Sequence, residues 1–426
     1  LRTPRTGRLS ANATATLREG GRWVRGHPEI LLRLRGKWLE TVVALELPAR
    51  PGTPGEMNSR REVNGGPAIY DLAQYPILPR AGEAVVVSAR AHDPDGLGSV
   101  QLRYRVDPGG TVQAVSMVDD GTGGDRVAGD GVYSGRVAGQ GTGTLVAFHL
   151  QATDGQEAPA VTVYPPGAPA REGLIRFGEV EKPGSIPSYR LWMTQATFDG
   201  WTARHKLDNT PSEITFVLGN QRVVHQVQAA FAGSPYIAPS FNTPAGRRCG
   251  YSIEFPSDDR FLGNTDLVLD WPGGHGNENT AVQEQMAYWL ADGMGLPFSL
   301  RHYIRLTVNG VTDMQRGGVF EAIIQPNRDF VRAWSPDDAE GELYKIDRAF
   351  EFNDGGGMSA DPMPTLEVFA TTGGAKKTAR YRWNWLKRSY DSAREYTNLF
   401  ALVDAVNAAS PEPYTSATTA LVELED

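Results

Sequence analysis

The stretch that decides the fold is Arg301–Asp354, with the sequence RHYIRLTVNGVTDMQRGGVFEAIIQPNRDFVRAWSPDDAEGELYKIDRAFEFND. Near its start, apolar residues alternate with polar and aromatic ones. The apolar positions are Ile304, Leu306 and Val308. This period of two predicts a half-buried β-strand. Asn309-Gly310 follows and predicts a tight turn, because both residues tolerate a positive φ.

Two more strands are predicted within this stretch. The second covers residues 318–324 and is ended by Pro326, which cannot donate to a sheet. The third covers residues 342–346 and carries Lys345 in an apolar context. A lysine on a strand beside a hairpin suits a nucleotide-binding lobe. The same pattern also fits any small sheet with one lysine whose ammonium reaches solvent.

The run YIRLTVNGV…GGVFEAI…ELYKID resembles the CotH family, spore-coat-type atypical kinases with a distant protein-kinase-like fold. In that family a strand ending in an Asn-Gly turn leads into a Gly-aromatic strand, and a Leu-Tyr-Lys strand follows. The resemblance extends from about Ile186 to the end of the chain. It is most like the longer secreted members, which carry small β domains in front of the kinase-like module. It implies an α+β kinase-like module over residues 189–426, incomplete at its C-terminus.

Composition limits the classes of function that the chain can have. A chain of 426 residues is long enough for two or three domains. The net charge is −8 and no basic block is present, which argues against nucleic acid or an anionic membrane surface as partner. No apolar run reaches transmembrane length. The lone Cys249 excludes an intrachain disulfide and a CxxC metal site.

The N-terminal residues 1–62 are predicted to form two or three β-strands. The segment ends in ARPGTPGEMNS, and its TPGxxNS ending resembles the tail of lamin-tail-like β-sandwich domains. A remnant of such a domain and a disordered stump are both open interpretations. The chain begins at Leu1 with neither a methionine nor a signal peptide, so we expect a fragment or a processed form.

Residues 66–178 are predicted to form one all-β domain. Short alternating runs are separated by turn residues at roughly 8 to 15 positions, as in immunoglobulin-like and fibronectin-like sandwiches. Phe148 and Tyr104 are expected in its core, and the lack of a cysteine pair excludes an antibody-type domain. Residues 179–188, EVEKPGSIPS, are predicted to be the linker to the next module. The fold class is therefore multidomain, with an Ig-like sandwich before an α+β module.

One loop of this domain is rich in carboxylates. The sequence DDGTGGDRVAGDGVY contains Asp119, Asp120, Asp125 and Asp130. Hard oxygen ligands between glycines are suited to Ca²⁺, although their spacing is not that of an EF-hand. Asp and Gly also build turns without any ion. Calcium binding and turn formation are the two interpretations.

The most regular helix pattern follows the glycine-rich turn WPGGHGNEN, whose backbone N–H groups could hold an anion. Thr280 and Gln283 are spaced as a capping box. The predicted buried face consists of Val282, Met286, Leu290 and Met294. In a kinase lobe a helix glutamate pairs with a strand lysine that binds the phosphates. Glu284 and Lys345 are the candidate pair, and a solvated Glu284 is the alternative.

The resemblance also marks two departures. CotH proteins carry a lysine shortly before an aromatic strand, and here Arg248 stands three residues before Tyr251. The planar arginine fork does not replace a lysine at a tight phosphate site. No Asn-Trp-Asp or Trp-Asp-x-Asp segment, which would hold the metal in that family, follows Pro411. We therefore expect the catalytic residues beyond Asp426 and an inactive fragment.

Residues 376–410 are predicted to form two helices with a break between positions 389 and 397. They carry a basic cluster that could bind a phosphate or form a solvated helix face. The cluster consists of Arg380, Arg382, Lys387 and Arg388. No GxSxG, HExxH or GxxxxGK[ST] motif occurs, and the seven histidines are scattered singly. Other enzyme chemistries therefore have no support from spacing.

Two functional hypotheses result. In the first, implied by the resemblance, the parent protein is a bacterial, extracellular or cell-surface kinase that transfers a phosphoryl group from ATP to protein Ser/Thr, with Mg²⁺ or Mn²⁺. Lys345, Glu284 and Arg248 would lie at its nucleotide. In the second, the chain is a non-catalytic surface or matrix scaffold that binds a protein or glycan. A glycan-active enzyme ranks last, because no carboxylate pair is identifiable.

Overall fold

The computed structural model describes most of the chain from residue 64 onward. The described ranges are 15–19 and 22–26 (backbone only), 64–204, 208–232, 243–245, 250–272, 280–312, 318–338, 340–346, 364–389, 395–409 and residues 414, 416 and 418. At the N-terminus, strands β1 (Ala15–Glu19) and β2 (Arg22–Gly26) form an antiparallel hairpin. Most of the segment that resembles a lamin-tail domain lies outside these ranges.

A two-sheet β-sandwich follows the hairpin. Its strands are β3 (Ala68–Tyr75), β4 (Val85–His92), β5 (Leu97–Asp107), β6 (Gln113–Ser116), β7 (Val132–Val137), β8 (Leu145–Asp154), β9 (Val161–Tyr164) and β10 (Gly173–Arg176). One sheet has the order β3-β4-β7. The other has the order β10-β8-β5-β6, with β9 also paired to β8. The sequence prediction of an Ig-like sandwich is confirmed.

The core of the sandwich comes from the alternating apolar residues of both sheets. In β4 the burial alternates strictly, with Val85, Val87 and Ala89 facing the other sheet. The predicted core residues Phe148 and Tyr104 are 1% and 4% exposed. Alternation of this kind is what a sheet with one buried face requires.

The next seven strands close into a barrel. They are β11 (Ser188–Trp192), β12 (Ser212–Leu218), β13 (Arg222–Ala232), β14 (Gly250–Glu254), β15 (Asp266–Asp270), β16 (Arg301–Val308) and β17 (Val319–Ile324). The order around the barrel is β11-β12-β13-β14-β15-β17-β16. Neighbours are antiparallel except β11 and β16, whose parallel pairing closes the barrel. Closure leaves no free sheet edge.

The predicted hairpin forms part of this barrel. Ile304, Leu306 and Val308 of β16 point into the barrel core, as the alternation predicts. Asn309 and Gly310 both have positive φ, at 47° and 78°. The core also holds a cluster of aromatic rings in edge-to-face contact, a geometry that stabilises beyond plain burial. The predicted strand over 318–324 corresponds to β17.

Short helices and a two-stranded ribbon complete the described fold. The helices are α1 (Gln195–Ala203), α2 (Gln283–Gly293), α3 (Arg328–Trp334), a 3₁₀ turn (Pro336–Asp338), α4 (Thr378–Asn384) and α5 (Thr397–Val406). The ribbon pairs β18 (Tyr344–Ile346) with β19 (Trp385–Lys387). The first predicted C-terminal helix is therefore shorter than expected, because the chain turns into β19 to pair with β18.

Sandwich and barrel share a buried interface. Leu145 and Leu174 of the sandwich pack with Trp192 and Val217 of the barrel in one apolar cluster. The backbone N–H of Leu174 donates to Thr215 Oγ1 at 3.2 Å.

Most of the secondary structure in the described residues is β-strand. The α+β module stays a prediction, since the described part of it is a barrel with short helices around it. No described helix is long and apolar enough to cross a membrane.

Candidate functional site

A cluster of charged side chains lies between helix α2 and the outer face of the barrel. Arg301 Nη1 of β16 donates to Glu321 Oε2 of β17 at 3.0 Å and to Glu284 Oε2 of α2 at 2.7 Å. Gln285 Nε2 donates to Glu321 Oε1 at 2.9 Å. The Arg301 guanidinium also lies 4.0 Å from the centre of the Tyr288 ring. One arginine is therefore held by two carboxylates and one aromatic face.

Strand pairing explains how these residues meet. Glu321 pairs directly with Tyr303, and Arg301 lies two residues before Tyr303 on β16. All three point away from the barrel core, because Ile304 and Phe320 point into it. Diagonal neighbours on one sheet face are within reach of long side chains. The hairpin register therefore places the Arg301–Glu321 pair, and α2 covers it.

Burial changes the pKa of one carboxyl group in this cluster. Glu321 is 1% exposed, and burial raises the pKa of its carboxyl. The bond from Gln285 and the charge of Arg301 oppose that rise and favour the carboxylate. Glu284, in contrast, is an exposed residue whose side chain reaches back to the buried arginine. Arg301 is thus bound by one buried carboxylate, from Glu321, and one exposed carboxylate, from Glu284.

The predicted Glu284–Lys345 pair is not formed in the described part of the chain. Glu284 binds Arg301 instead, with 2.7 Å between its Oε2 and Arg301 Nη1. Lys345 lies on β18, paired with Leu386 of β19, and its side chain is exposed. Arg248, the third predicted nucleotide-binding residue, lies outside the described residues, as does most of the glycine-rich turn before α2.

The predicted geometry of α2 also needs correction. The helix begins at Gln283, with Val282 at the N-cap and no side-chain capping bond, so the capping box is not formed. The predicted buried face is exposed. Its residues Val282, Met286, Leu290 and Met294 are 41% to 71% exposed. The helix contacts the barrel through the side that carries Gln285 and Tyr288 instead.

The basic cluster of the C-terminal region is dispersed over separate partners. Lys387 is a buried lysine that binds Glu342. Arg388 donates to Gln325 Oε1 at 3.1 Å, and Arg380 lies 4.3 Å from the centre of the Phe369 ring. The residues therefore form neither a single solvated face nor a single phosphate site. The strand β19 causes this, since it breaks the helical spacing from which the cluster was predicted.

In the carboxylate loop of the sandwich, the structure brings together three of the four predicted residues. One carboxylate oxygen from each of Asp119, Asp125 and Asp130 lies within 4.8 Å of the others. Asp120 is not in this group. Its carboxylate accepts from the backbone N–H and hydroxyl of Thr122, and these bonds lower its pKa. The Asp119 oxygens accept backbone N–H bonds, including those of Gly129 and Gly131 at 2.8 and 2.9 Å. The carboxylates thus build turns and also lie close enough to share a cation.

Calcium stays a prediction for this loop, with a direct test. If Ca²⁺ binds only the folded loop, millimolar Ca²⁺ raises the melting temperature of the chain, and Asp125→Asn removes the rise. Differential scanning calorimetry with and without chelator measures it. Asp120→Asn is the matched control, because it changes a loop carboxylate outside the group of three. An unchanged melting temperature in the wild-type chain would assign the loop to turn formation alone.

Comparisons with known proteins assign two parts of the chain. Residues 245–426 match the family model described as CotH kinase protein. Residues 81–158 match the model of the second Ig-like domain of conditioned medium factor. None of the curated proteins compared matches the chain. The first match covers the charged cluster of α2, β16 and β17, and the second lies within the sandwich.

One solved structure also shows a distant similarity. It is a cycloalternan-forming enzyme from Listeria monocytogenes in complex with pentasaccharide substrate, with 7% sequence identity and a TM-score of 0.17. The similarity covers 47% of this chain and 16% of that enzyme's chain. The chain thus spans less than a fifth of that enzyme's length. A TM-score this low does not indicate a shared fold.

Proposed function

The chain carries a CotH kinase-family region at residues 245–426 behind an Ig-like domain, and from this we propose that it is the nucleotide-binding part of a kinase. The parent protein transfers a phosphoryl group from ATP to serine or threonine of a protein outside the cytoplasm. The family match carries this proposal. The α2 glutamate bound to a strand cation, Glu284 with Arg301, supports it, because protein-kinase lobes contain an ion pair between a helix glutamate and a strand lysine.

Lys345 fits the role of a phosphate-binding residue. It is exposed, and it has no hydrogen bond or ion pair to any residue that the structure describes. Its ammonium is a compact point charge of the kind that binds phosphate oxygens. Bound ATP, with Mg²⁺ or Mn²⁺, would supply the phosphoryl group. Arg301 fits a direct phosphate contact less well, since two carboxylates already neutralise it.

The ion pairs of Arg301 also favour a second candidate function. A strand cation bound to both Glu284 and Glu321 serves the stability of the barrel, whether or not a nucleotide is present. In this alternative the module is a non-catalytic scaffold at the cell surface or in a matrix, and it binds a protein through its Ig-like domain. The two functions differ in whether ATP binds.

Nucleotide binding at Lys345 can be measured by a thermal-shift titration with ATP and Mg²⁺. A ligand that binds only the folded state raises its stability by about 2.7 kcal/mol at one hundred times its dissociation constant, so the melting temperature rises with ATP. Lys345→Ala is expected to reduce the rise. Lys377→Ala, which removes an exposed lysine just before α4, is the matched control and leaves the rise unchanged. A rise of equal size in Lys345→Ala would remove Lys345 from the site.

A further inference from the structure

A cavity of about 510 Å³ lies between the barrel, the linker and one end of the sandwich. Its barrel wall is the outer face of the parallel pair β11–β16. Ser188 pairs with Arg305, and Arg190 pairs with Thr307, so these four side chains share one face. Their neighbours on the same strands, such as Tyr189 and Leu306, point into the barrel core. The volume is in the usual range for small-molecule sites.

Polar atoms on this wall are buried without a partner. Ser188 and Arg190 are 5% and 4% exposed. Ser188 Oγ, Thr307 Oγ1 and Arg190 Nη1 have no hydrogen-bond partner among the residues that the structure describes. A buried polar group left unpaired costs about 1–3 kcal/mol, so such groups in native proteins usually have a ligand or an ordered water. All three residues line the same cavity.

The charges around the cavity favour a negative ligand. Four basic and two acidic side chains line it. Both acids are already engaged, since Arg190 binds Glu179 at 3.0 Å and Glu181 at 2.9 Å, and Glu179 also binds Arg176. The positive charges of Arg305 and of Lys182 in the linker are not neutralised by these two acids. The Arg305 side chain makes one long hydrogen bond to a described residue, 3.4 Å from Nη1 to the carbonyl oxygen of Pro183.

We propose that this cavity binds a small anion. Its acidic group lies between the guanidinium groups of Arg190 and Arg305, and the hydroxyls of Ser188 and Thr307 donate to its oxygens. The cations favour a negatively charged ligand, and the two hydroxyls supply hydrogen-bond donors to it. The site does not involve Lys345 or Glu284, so it is independent of the proposed kinase function.

Calorimetric titration of the full chain with two anions and one neutral compound tests this proposal. Glucuronate represents organic acids, inorganic phosphate represents mineral anions, and glucose matches glucuronate without its carboxylate. We expect at least one anion to bind and glucose to bind at least about tenfold more weakly. Binding of glucuronate alone indicates an organic acid as the natural ligand, and binding of phosphate alone indicates a phosphate group.

Three variants locate the binding. Arg305→Ala is expected to weaken the anion about tenfold or more, because it removes a charged donor. Thr307→Val keeps the side-chain shape and is expected to weaken binding several-fold without lowering the melting temperature. Arg126→Ala removes an exposed arginine outside the cavity and leaves binding unchanged. The proposal is overturned if neither anion binds at millimolar concentration, if glucose binds equally well, or if Arg305→Ala and Thr307→Val bind like the wild-type chain.

Discussion

Replacing Glu321 with alanine is expected to lower the free energy of unfolding by about 3–5 kcal/mol. The reason is that Arg301 would lose its buried partner. The Arg301 side chain is only 7% exposed, and Glu321 is its buried partner at 3.0 Å. Removing that carboxylate leaves a largely desolvated charge with one exposed partner. Urea denaturation followed by tryptophan fluorescence measures the change.

Glu284→Ala is the matched control, because it removes the other carboxylate from the same arginine. Glu284 is 54% exposed, so its ion pair is screened by water and is expected to contribute about 1 kcal/mol or less. The double variant Arg301→Met/Glu321→Leu removes both buried charges and is expected to recover most of the lost stability. Equal losses for Glu321→Ala and Glu284→Ala would show that burial does not set the strength of the pair.

Stability is also expected to fall by about 3 kcal/mol between pH 6.5 and pH 4 through one histidine. His225 lies in the interface between barrel and sandwich, and burial lowers its pKa to about 4 from the ordinary 6.5. Its Nδ1 lies 3.2 Å from Thr215 Oγ1, and the Phe148 ring packs edge-on at 5.4 Å. A charged imidazolium there would be desolvated.

The direction follows from proton counting. Between pH 4 and 6.5 the unfolded chain binds a proton at His225 and the folded chain does not, so stability rises with pH across this interval. The contribution is complete above about pH 6.5 and is lost as the pH falls toward 4. Burial also lowers the pKa values of His149 and His302, which act in the same direction.

Denaturation curves at a series of pH values test the role of His225. His225→Gln is expected to reduce the slope of the profile between pH 4 and 6.5, because glutamine does not titrate, and His149 and His302 account for part of the slope that remains. His92→Gln replaces an exposed histidine of the sandwich and is the matched control. A wild-type slope retained in His225→Gln would assign the acid sensitivity to other groups.

Local signals predicted a large part of the fold. The alternation in β16 and the Asn309-Gly310 turn depend on neighbouring residues only, and both are present. The sandwich was predicted for the same reason, since each short strand carries its own alternation and turn residues. Phe148 and Tyr104 were assigned to its core correctly, because buried aromatic residues on alternating strands point to one face.

The sequence did not indicate which residues far apart in the chain contact each other. Arg301 and Lys345 are both strand cations that follow a helix glutamate, and Glu284 meets Arg301 because of where α2 lies in the fold. The cavity depends on the parallel pairing of β11 with β16, which joins segments more than a hundred residues apart. The α2 face was predicted to be buried because periodicity reports which residues are apolar, and not whether another element covers them.

Isothermal titration calorimetry of the chain with ATP and Mg²⁺ measures most directly whether this protein binds ATP. We expect saturable heat with about one nucleotide per chain, reduced by omission of the divalent ion and by Lys345→Ala. Circular dichroism of the same sample establishes that the chain is folded. No binding heat from the folded chain would contradict the kinase proposal and favour the non-catalytic scaffold.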